Sequence, residues 1–210
     1  MIKIIIADDH AIVRQRLRQM LAGMTDMELV GEAKDAAELL ELLRERACDV
    51  AVLDVSMPGR SGLEVLRELE SKHPRLAVLV LTMHPEGQYA VRALKAGAAG
   101  YLTKDSAPAE LVAAIRRVAA GGKYITAALA ETLADHLGSK TDKPPHESLS
   151  GREFEVLRKI GAGRTVSEIA EELFLSPNTV STYRARLLEK LNLRNNAELI
   201  HYAITNHLID

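Results

Sequence analysis

Ile2-Lys3-Ile4-Ile5-Ile6-Ala7-Asp8-Asp9 is the stretch on which the fold turns, an apolar run that stops at two carboxylates. The arrangement recurs along the first half of the chain. Asp54 follows Asp49–Leu53, Thr82 follows Ala77–Leu81, and Lys104 follows Ala99–Thr103. If these runs are parallel strands, all five functional groups converge on one edge of the sheet, where open α/β sheets hold their chemistry.

The segments between them support that placement. Strands are expected at Ile2–Ala7, Glu28–Ala33, Val50–Asp54, Ala77–Thr82 and Gly100–Leu102, several of them continuous apolar runs, as strands buried on both faces require. Helical periodicity fills the gaps: Val13, Leu17, Met20 and Leu21 share a face of His10–Ala22, Leu39, Leu40 and Leu43 one of Ala36–Arg46, and Leu63, Leu66 and Leu69 one of Ser61–Lys72. Gln88–Ala96 is less hydrophobic, and Ala109–Ala120 ends at Gly121-Gly122, as a helix terminus should. Five successive βα units predict a doubly wound α/β domain with a five-stranded parallel sheet over residues 1–123.

Residues 124–148 read as a linker: a helix over Ala127–Leu137, then a polar stretch with Pro144-Pro145 and no apolar periodicity. From residue 149 to 210 every segment is helical. Ser150 with Glu153, and Thr165 with Glu168, form capping-box patterns; Ser176-Pro177 opens a third helix and Asn196–His207 makes a fourth. Short turns between such helices describe a small all-α domain containing a helix-turn-helix.

Composition narrows the function. With 27 basic and 29 acidic residues the net charge is −2, which argues against nucleic-acid binding through overall charge and leaves room for a local basic patch. The single cysteine, Cys48, forms no intrachain disulfide. No run approaches the ~20 apolar residues of a membrane span, and a cytoplasmic protein with no membrane partner is expected. His10, His73, His84 and His136 are too scattered for a metal cluster.

At the acidic edge, a sheet whose order reverses beside its first strand makes the first and third strands neighbours, so Asp8, Asp9 and Asp54 share one crevice. Three carboxylates that close repel unless a cation or protons join them, and a hard, oxygen-lined site suits Mg²⁺. The same crevice holds the parts of a phosphoryl transfer. Asp54 is the expected nucleophile and phosphoacceptor. Asp8, Asp9, Asp54 and the backbone carbonyl of Ser56 are the expected metal ligands, with Lys104 pairing and Thr82 hydrogen-bonding the phosphoryl group. Taken one at a time, an aspartate at a strand end is more often a helix cap; the coincidence of all five at the same strand ends favours the functional reading.

Asp8-Asp9-His10, Val52-Leu53-Asp54-Val55-Ser56-Met57-Pro58-Gly59, Leu81-Thr82-Met83 and Tyr101-Leu102-Thr103-Lys104-Asp105 resemble the receiver domain of two-component response regulators, a flavodoxin-like fold. The resemblance implies a sensor histidine kinase as phosphate donor and no enzymatic activity beyond self-phosphorylation and self-dephosphorylation. It also implies that Tyr101 partners Thr82 in a switch; taken singly, Tyr101 is a half-buried sheet residue. An aspartyl-phosphate hydrolase would use a similar edge but needs a second acid two residues after its nucleophile, where this chain has Ser56. A regulator that works without phosphorylation is the other alternative.

On the helix that begins at Ser176, Val180, Tyr183, Leu187, Leu188 and Leu191 cluster inward. The opposite face presents Asn178, Thr179, Ser181 and Thr182, then turns basic with Arg184, Arg186 and Lys190. Short polar side chains let a helix approach base edges while basic ones reach phosphates, so these seven residues are the expected contacts to the major groove of promoter DNA. Leu149-Ser150-Gly151-Arg152-Glu153, Thr165-Val166-Ser167-Glu168-Ile169-Ala170, Ser176-Pro177-Asn178-Thr179-Val180 and Leu188-Glu189-Lys190-Leu191 resemble the LuxR-type DNA-binding domain, and the whole chain resembles a NarL/FixJ-class response regulator. That resemblance implies a homodimer on activation. It favours a partial dimer seam for the apolar face Leu199, Ile200, Ala203, Ile204 and Leu208 of the last helix, which on its own reads as bundle core.

Overall fold

The computed structural model describes residues 1–83, 87–106, 108–138 and 144–209, without the side chains of residues 88 and 135–138. The chain divides into two compact units, Met1–Leu137 and Gly138–Asp210.

Alternating strand and helix patterns in the first unit become β1 (Ile2–Ala7), α1 (Ala11–Ala22), β2 (Met27–Ala33), α2 (Ala36–Glu45), β3 (Val50–Leu53), α3 (Gly62–Lys72), β4 (Ala77–Thr82), α4 (Gln88–Lys95), β5 (Gly100–Thr103), α5 (Pro108–Ala119) and α6 (Ala127–Gly138). The five strands form one parallel sheet in the order β2-β1-β3-β4-β5. Alternation along the strands divides the core. Ile4, Ile6, Val50, Val52, Leu79 and Leu81 pack with Leu17 and Leu21 of α1 and with Leu111, Ile115 and Val118 of α5. On the other face Ile5 and Leu42 of α2 close over Gly31, where a Cβ would stand 3.1 Å from Leu42 and 3.5 Å from Ile5. Each such large apolar side chain stabilises the fold by ~1.5–3 kcal/mol when buried, which is why the apolar runs go to the middle of the sheet and the charged groups to its rim.

The linker expected at residues 124–148 is shorter at both ends. Tyr124 belongs to the sheet unit: its backbone N–H donates to the Ala99 carbonyl at 2.9 Å, and it forms a parallel bridge with Gly100 at the free edge of β5. Leu129 of α6 is fully buried. At the other end Pro145–Ser148 forms a 3-10 turn whose buried His146 sits 2.9 Å, Nδ1 to hydroxyl, from Tyr202. Residues 139–143 of the expected linker lie outside the described residues.

In the second unit the capping signals set the helices. Ser150 and Thr165 make complete capping boxes with Glu153 and Glu168 at the starts of α7 (Gly151–Gly161) and α8 (Val166–Glu172). Ser176 caps α9 (Pro177–Lys190), which has proline at its first position, and Asn195 caps α10 (Asn196–Thr205). Phe154, Val156, Leu157, Ile169, Val180, Leu187, Leu199 and Ala203 form the core. α7 and α10 approach closely: a Cβ on Gly161 would lie 2.7 Å from that of Ala203.

Candidate functional site

The strand register builds the acidic edge. Ala7 of β1 pairs with Leu53 of β3, so the residues that follow, Asp8 and Asp54, emerge side by side at the point where strand order reverses. The ladder runs one step beyond the strands: Asp54 N–H donates to the Ala7 carbonyl at 2.8 Å, and Lys104 N–H donates to that of Thr82 at 2.8 Å. The loop after Asp54 folds back tightly. Gly59 takes a φ of +90°, and a Cβ on Gly62 would stand 2.4 Å from Val55 Cα, so a glycine is required where α3 begins.

Asp8 and Asp54 are both buried, and Lys104 bridges them, its Nζ 2.7 Å from Asp8 Oδ2 and 2.6 Å from Asp54 Oδ2. The second oxygen of Asp54 accepts from the Ser56 N–H at 2.9 Å. Burial alone pushes the Lys104 amine down, but its bonds to Asp54 and Asp8 outweigh that and hold it above the usual lysine range. Thr82 is fully buried, with its hydroxyl 3.3 Å from that of Ser56. Tyr101, expected to be half-buried, is fully enclosed.

Asp9 completes the cluster. Its Oδ1 is buried and accepts no hydrogen bond among the described residues. Three carboxylates against one ammonium leave a formal charge of −2, and the orphaned oxygen marks where positive charge is missing. The residues therefore fit a hard divalent ion. Two neighbours carry no signal of this role in the sequence patterns. Arg14 donates to the Asp8 carbonyl at 2.6 Å. His10, too isolated among the histidines to suggest a metal cluster, brings its Nδ1 to 3.1 Å from Asp8 and 2.9 Å from Asp9, so donor atoms of Asp8, Asp9, His10 and Asp54 all lie within 4.8 Å of one another. Its place directly after the aspartate pair is the one clue the sequence offers.

On α9, the seven residues expected to meet DNA divide in two. Asn178, Ser181, Thr182, Arg186 and Lys190 are exposed, and Thr179 and Arg184 are half-buried. Several are held by side-chain bonds: Thr182 hydroxyl donates to the Asn178 carbonyl at 2.9 Å, Thr179 hydroxyl lies 2.8 Å from Ser176 hydroxyl, Arg184 Nε donates to Asn196 Oδ1, and Lys190 Nζ donates to Glu153 Oε2 at 2.7 Å. Glu153 is buried and also accepts from the Ser150 N–H at 2.8 Å, so Lys190 ties the end of α9 to the start of α7. On α10, Leu199 and Ala203 are core and Ile204 is 55% exposed; Leu208, just past its end, is also buried.

Comparison with known proteins agrees with both halves. Residues 4–116 match the response regulator receiver domain, and residues 147–203 match the bacterial regulatory proteins of the luxR family. The chain is 39% identical to the response regulator UvrY of Escherichia coli over 209 residues, covering 99% of this chain and 96% of UvrY. It is also 39% identical to the response regulator GacA of Pseudomonas aeruginosa over 211 residues, covering 100% and 99%. A solved structure of the RcsB response regulator of Salmonella typhimurium superposes with a TM-score of 0.69 at 28% identity, over 97% of each chain. The acidic edge, the helix-turn-helix and these matches have one reading: the chain belongs to the NarL/FixJ class of two-component response regulators, a receiver domain joined to a LuxR-type DNA-binding domain.

Proposed function

We propose that Asp54 accepts a phosphoryl group from a sensor histidine kinase and that this modification controls transcription through the helix-turn-helix. The observation that carries the reading is the shared lysine, with Lys104 Nζ 2.6 Å from Asp54 and 2.7 Å from Asp8. A carboxylate oxygen of Asp54 attacks the phosphorus of the kinase phosphohistidine; an O–P bond forms, the N–P bond breaks, and the imidazole nitrogen keeps the electron pair. Asp8, Asp9, Asp54 and the Ser56 carbonyl would hold Mg²⁺, whose charge offsets that on the equatorial phosphoryl oxygens. Lys104 then exchanges a carboxylate for a phosphoryl oxygen, which releases Asp8. Thr82 hydrogen-bonds the phosphoryl group, and Tyr101 packs behind it as the partner that carries the change along the sheet. Phosphoryl chemistry is confined to the chain itself, and Ser56 stands where a hydrolase needs its second acid.

In the second unit, Asn178, Ser181 and Thr182 face base edges in the major groove, with Thr179 at their flank, while Arg184 and Arg186 reach phosphates. Lys190, paired with Glu153, contributes chiefly by holding the helix. Two copies would read half-sites about one helical turn apart. The RcsB structure described as two RcsB dimers bound to two parallel DNAs, 30% identical with a TM-score of 0.60, lends support to DNA binding as a dimer. The cytoplasm is the fitting compartment for a kinase-coupled transcription factor, and no described helix is long and apolar enough to cross a membrane.

The test is phosphorylation by a small acyl phosphate with Mg²⁺, read by intact mass. One phosphoryl group per chain is expected on the wild type and none on Asp54→Asn or in the presence of a chelator. Undiminished labelling of Asp54→Asn overturns the assignment.

A further inference from the structure

His10 is a donor at the acidic edge that the phosphoryl chemistry leaves unused. Its backbone N–H donates to Asp8 Oδ1 at 2.8 Å, which fixes the base of the side chain beside the aspartate pair. The ring Nδ1 then lies 3.1 Å from Asp8 Oδ1 and 2.9 Å from Asp9 Oδ1. The Asp9 oxygen is buried and accepts no hydrogen bond among the described residues, so the 2.9 Å approach is close without being an aligned donated bond.

These separations have a simple geometric meaning. Adjacent ligands of an octahedral ion held at ~2.0–2.2 Å stand √2 times farther from each other, about 2.8–3.1 Å. His10 Nδ1 thus stands from Asp8 Oδ1, with which it is also within hydrogen-bonding distance, and from Asp9 Oδ1 at the spacing of neighbouring corners of one coordination sphere, with an Asp54 oxygen in the same cluster. Mg²⁺ takes oxygen and gains little from an imidazole, whereas Co²⁺ and Zn²⁺ bind imidazole nitrogen well and Mn²⁺ tolerates it.

We infer that His10 is a further metal ligand, through Nδ1, which lets the acidic edge take borderline transition ions with a mixed oxygen and nitrogen set as well as Mg²⁺ with oxygen alone. The inference rests on the metal site proposed above. Its consequence is competition: a transition ion held by His10 occupies the position at which Mg²⁺ would serve phosphoryl transfer. The ring is 58% exposed on its side chain, so it can turn toward or away from the ion without disturbing the core.

Two measurements on the full-length chain test it. Calorimetry with Co²⁺ and with Mg²⁺ is expected to show that His10→Gln weakens Co²⁺ binding about tenfold while leaving Mg²⁺ affinity within about twofold. Pulsed electron paramagnetic resonance of the Mn²⁺-loaded chain is expected to show coupling to an imidazole nitrogen that vanishes in His10→Gln. Absence of that coupling in the wild type, or equal losses for Co²⁺ and Mg²⁺, overturns the inference, the latter because His10 would then only orient the carboxylates. Asp9→Asn separates the two levels. Mg²⁺ binding that is lost in Asp9→Asn upholds the metal site whatever His10 does, and Mg²⁺ binding that survives it removes the site on which the inference stands.

Discussion

In the sheet unit, Asp8, Asp9 and Asp54 have the single ammonium of Lys104 among them, whereas in the helical unit the buried carboxylates Glu153 and Glu155 each have a cation of their own. Glu153 meets Lys190 at 2.7 Å and Glu155 meets Arg152 at 2.7 Å. Both arrangements bury acid, and burial without compensation is costly in either. The difference is that the first leaves negative charge over and a buried oxygen without a donor, while the second is closed by helix caps and ion pairs before any ligand arrives. A site left incomplete is one that an added cation can complete; a domain whose charges are settled holds α9 in place with its own pairs. The two units thus differ in how completely each satisfies its own charges.

The strongest way to break that contrast is to remove the shared lysine. Lys104→Met leaves Asp8 and Asp54 facing each other with no cation, and loss of one partner from a buried pair costs ~3 kcal/mol or more. Urea denaturation in chelator should show a drop of that order for the sheet unit. Mg²⁺ should restore part of it, because the ion supplies the charge the lysine did. An unchanged midpoint in chelator would mean that the acidic edge carries no excess charge to compensate.

A smaller effect is expected from the equivalent change in the helical unit. Lys190→Met leaves Glu153 with the Ser150 donors alone, and the expected cost is ~1–2 kcal/mol, read from hydrogen exchange of the α7 amides in the full chain. Burial by itself pushes the Glu153 carboxyl up, but the bond from Lys190 and those from Ser150 outweigh it and hold it below the usual carboxylate range. A depressed folded value stabilises the unit above the unfolded pKa of about 4.3 and loses that contribution as pH falls through the lower folded value. Protection of α7 should therefore fall below about pH 4 in the wild type, and fall less steeply in Lys190→Met. Equal slopes in the two proteins would show that the pair is not what holds this charge.

How far the sequence carries these distinctions depends on whether a feature is local. Apolar runs ending at Asp8, Asp54, Thr82 and Lys104 place the strands and their shared edge, because strand periodicity and termination are written into consecutive residues. The capping boxes at Ser150 and Thr165 are equally readable, being patterns of four residues. What escapes comes from partners far along the chain. Tyr101 looks half-buried because nothing near it in sequence announces how completely the fold encloses it. Pro145–Ser148 looks like linker because its anchor, Tyr202, lies 56 positions away from His146. Periodicity puts Lys190 on the basic stripe, but its pairing with Glu153 is invisible in sequence because that residue belongs to another helix. His10 is the exception, adjacent to its partners yet marked in sequence only by its place after Asp9, since a lone histidine carries no ligand spacing of its own.

Arg186 provides the finest test, since it shares the exposed basic stripe with Lys190 yet has no bond to the buried Glu153. If the helical unit is rigid before DNA arrives, removing an outward arginine should change binding without changing folding. Neutralising one fewer phosphate lowers the steepness of log K against log salt by about 0.9. Arg186→Ala should therefore bind a selected site more weakly, with a salt slope shallower by about that amount, similar weakening on unrelated sequences, and unchanged α7 exchange. Lys190→Met should do the reverse, altering exchange first and the salt slope little. Weakening by Arg186→Ala that is confined to particular base pairs would instead make this side chain a reader of sequence, and the small polar residues at 178, 181 and 182 would then set its position rather than the specificity.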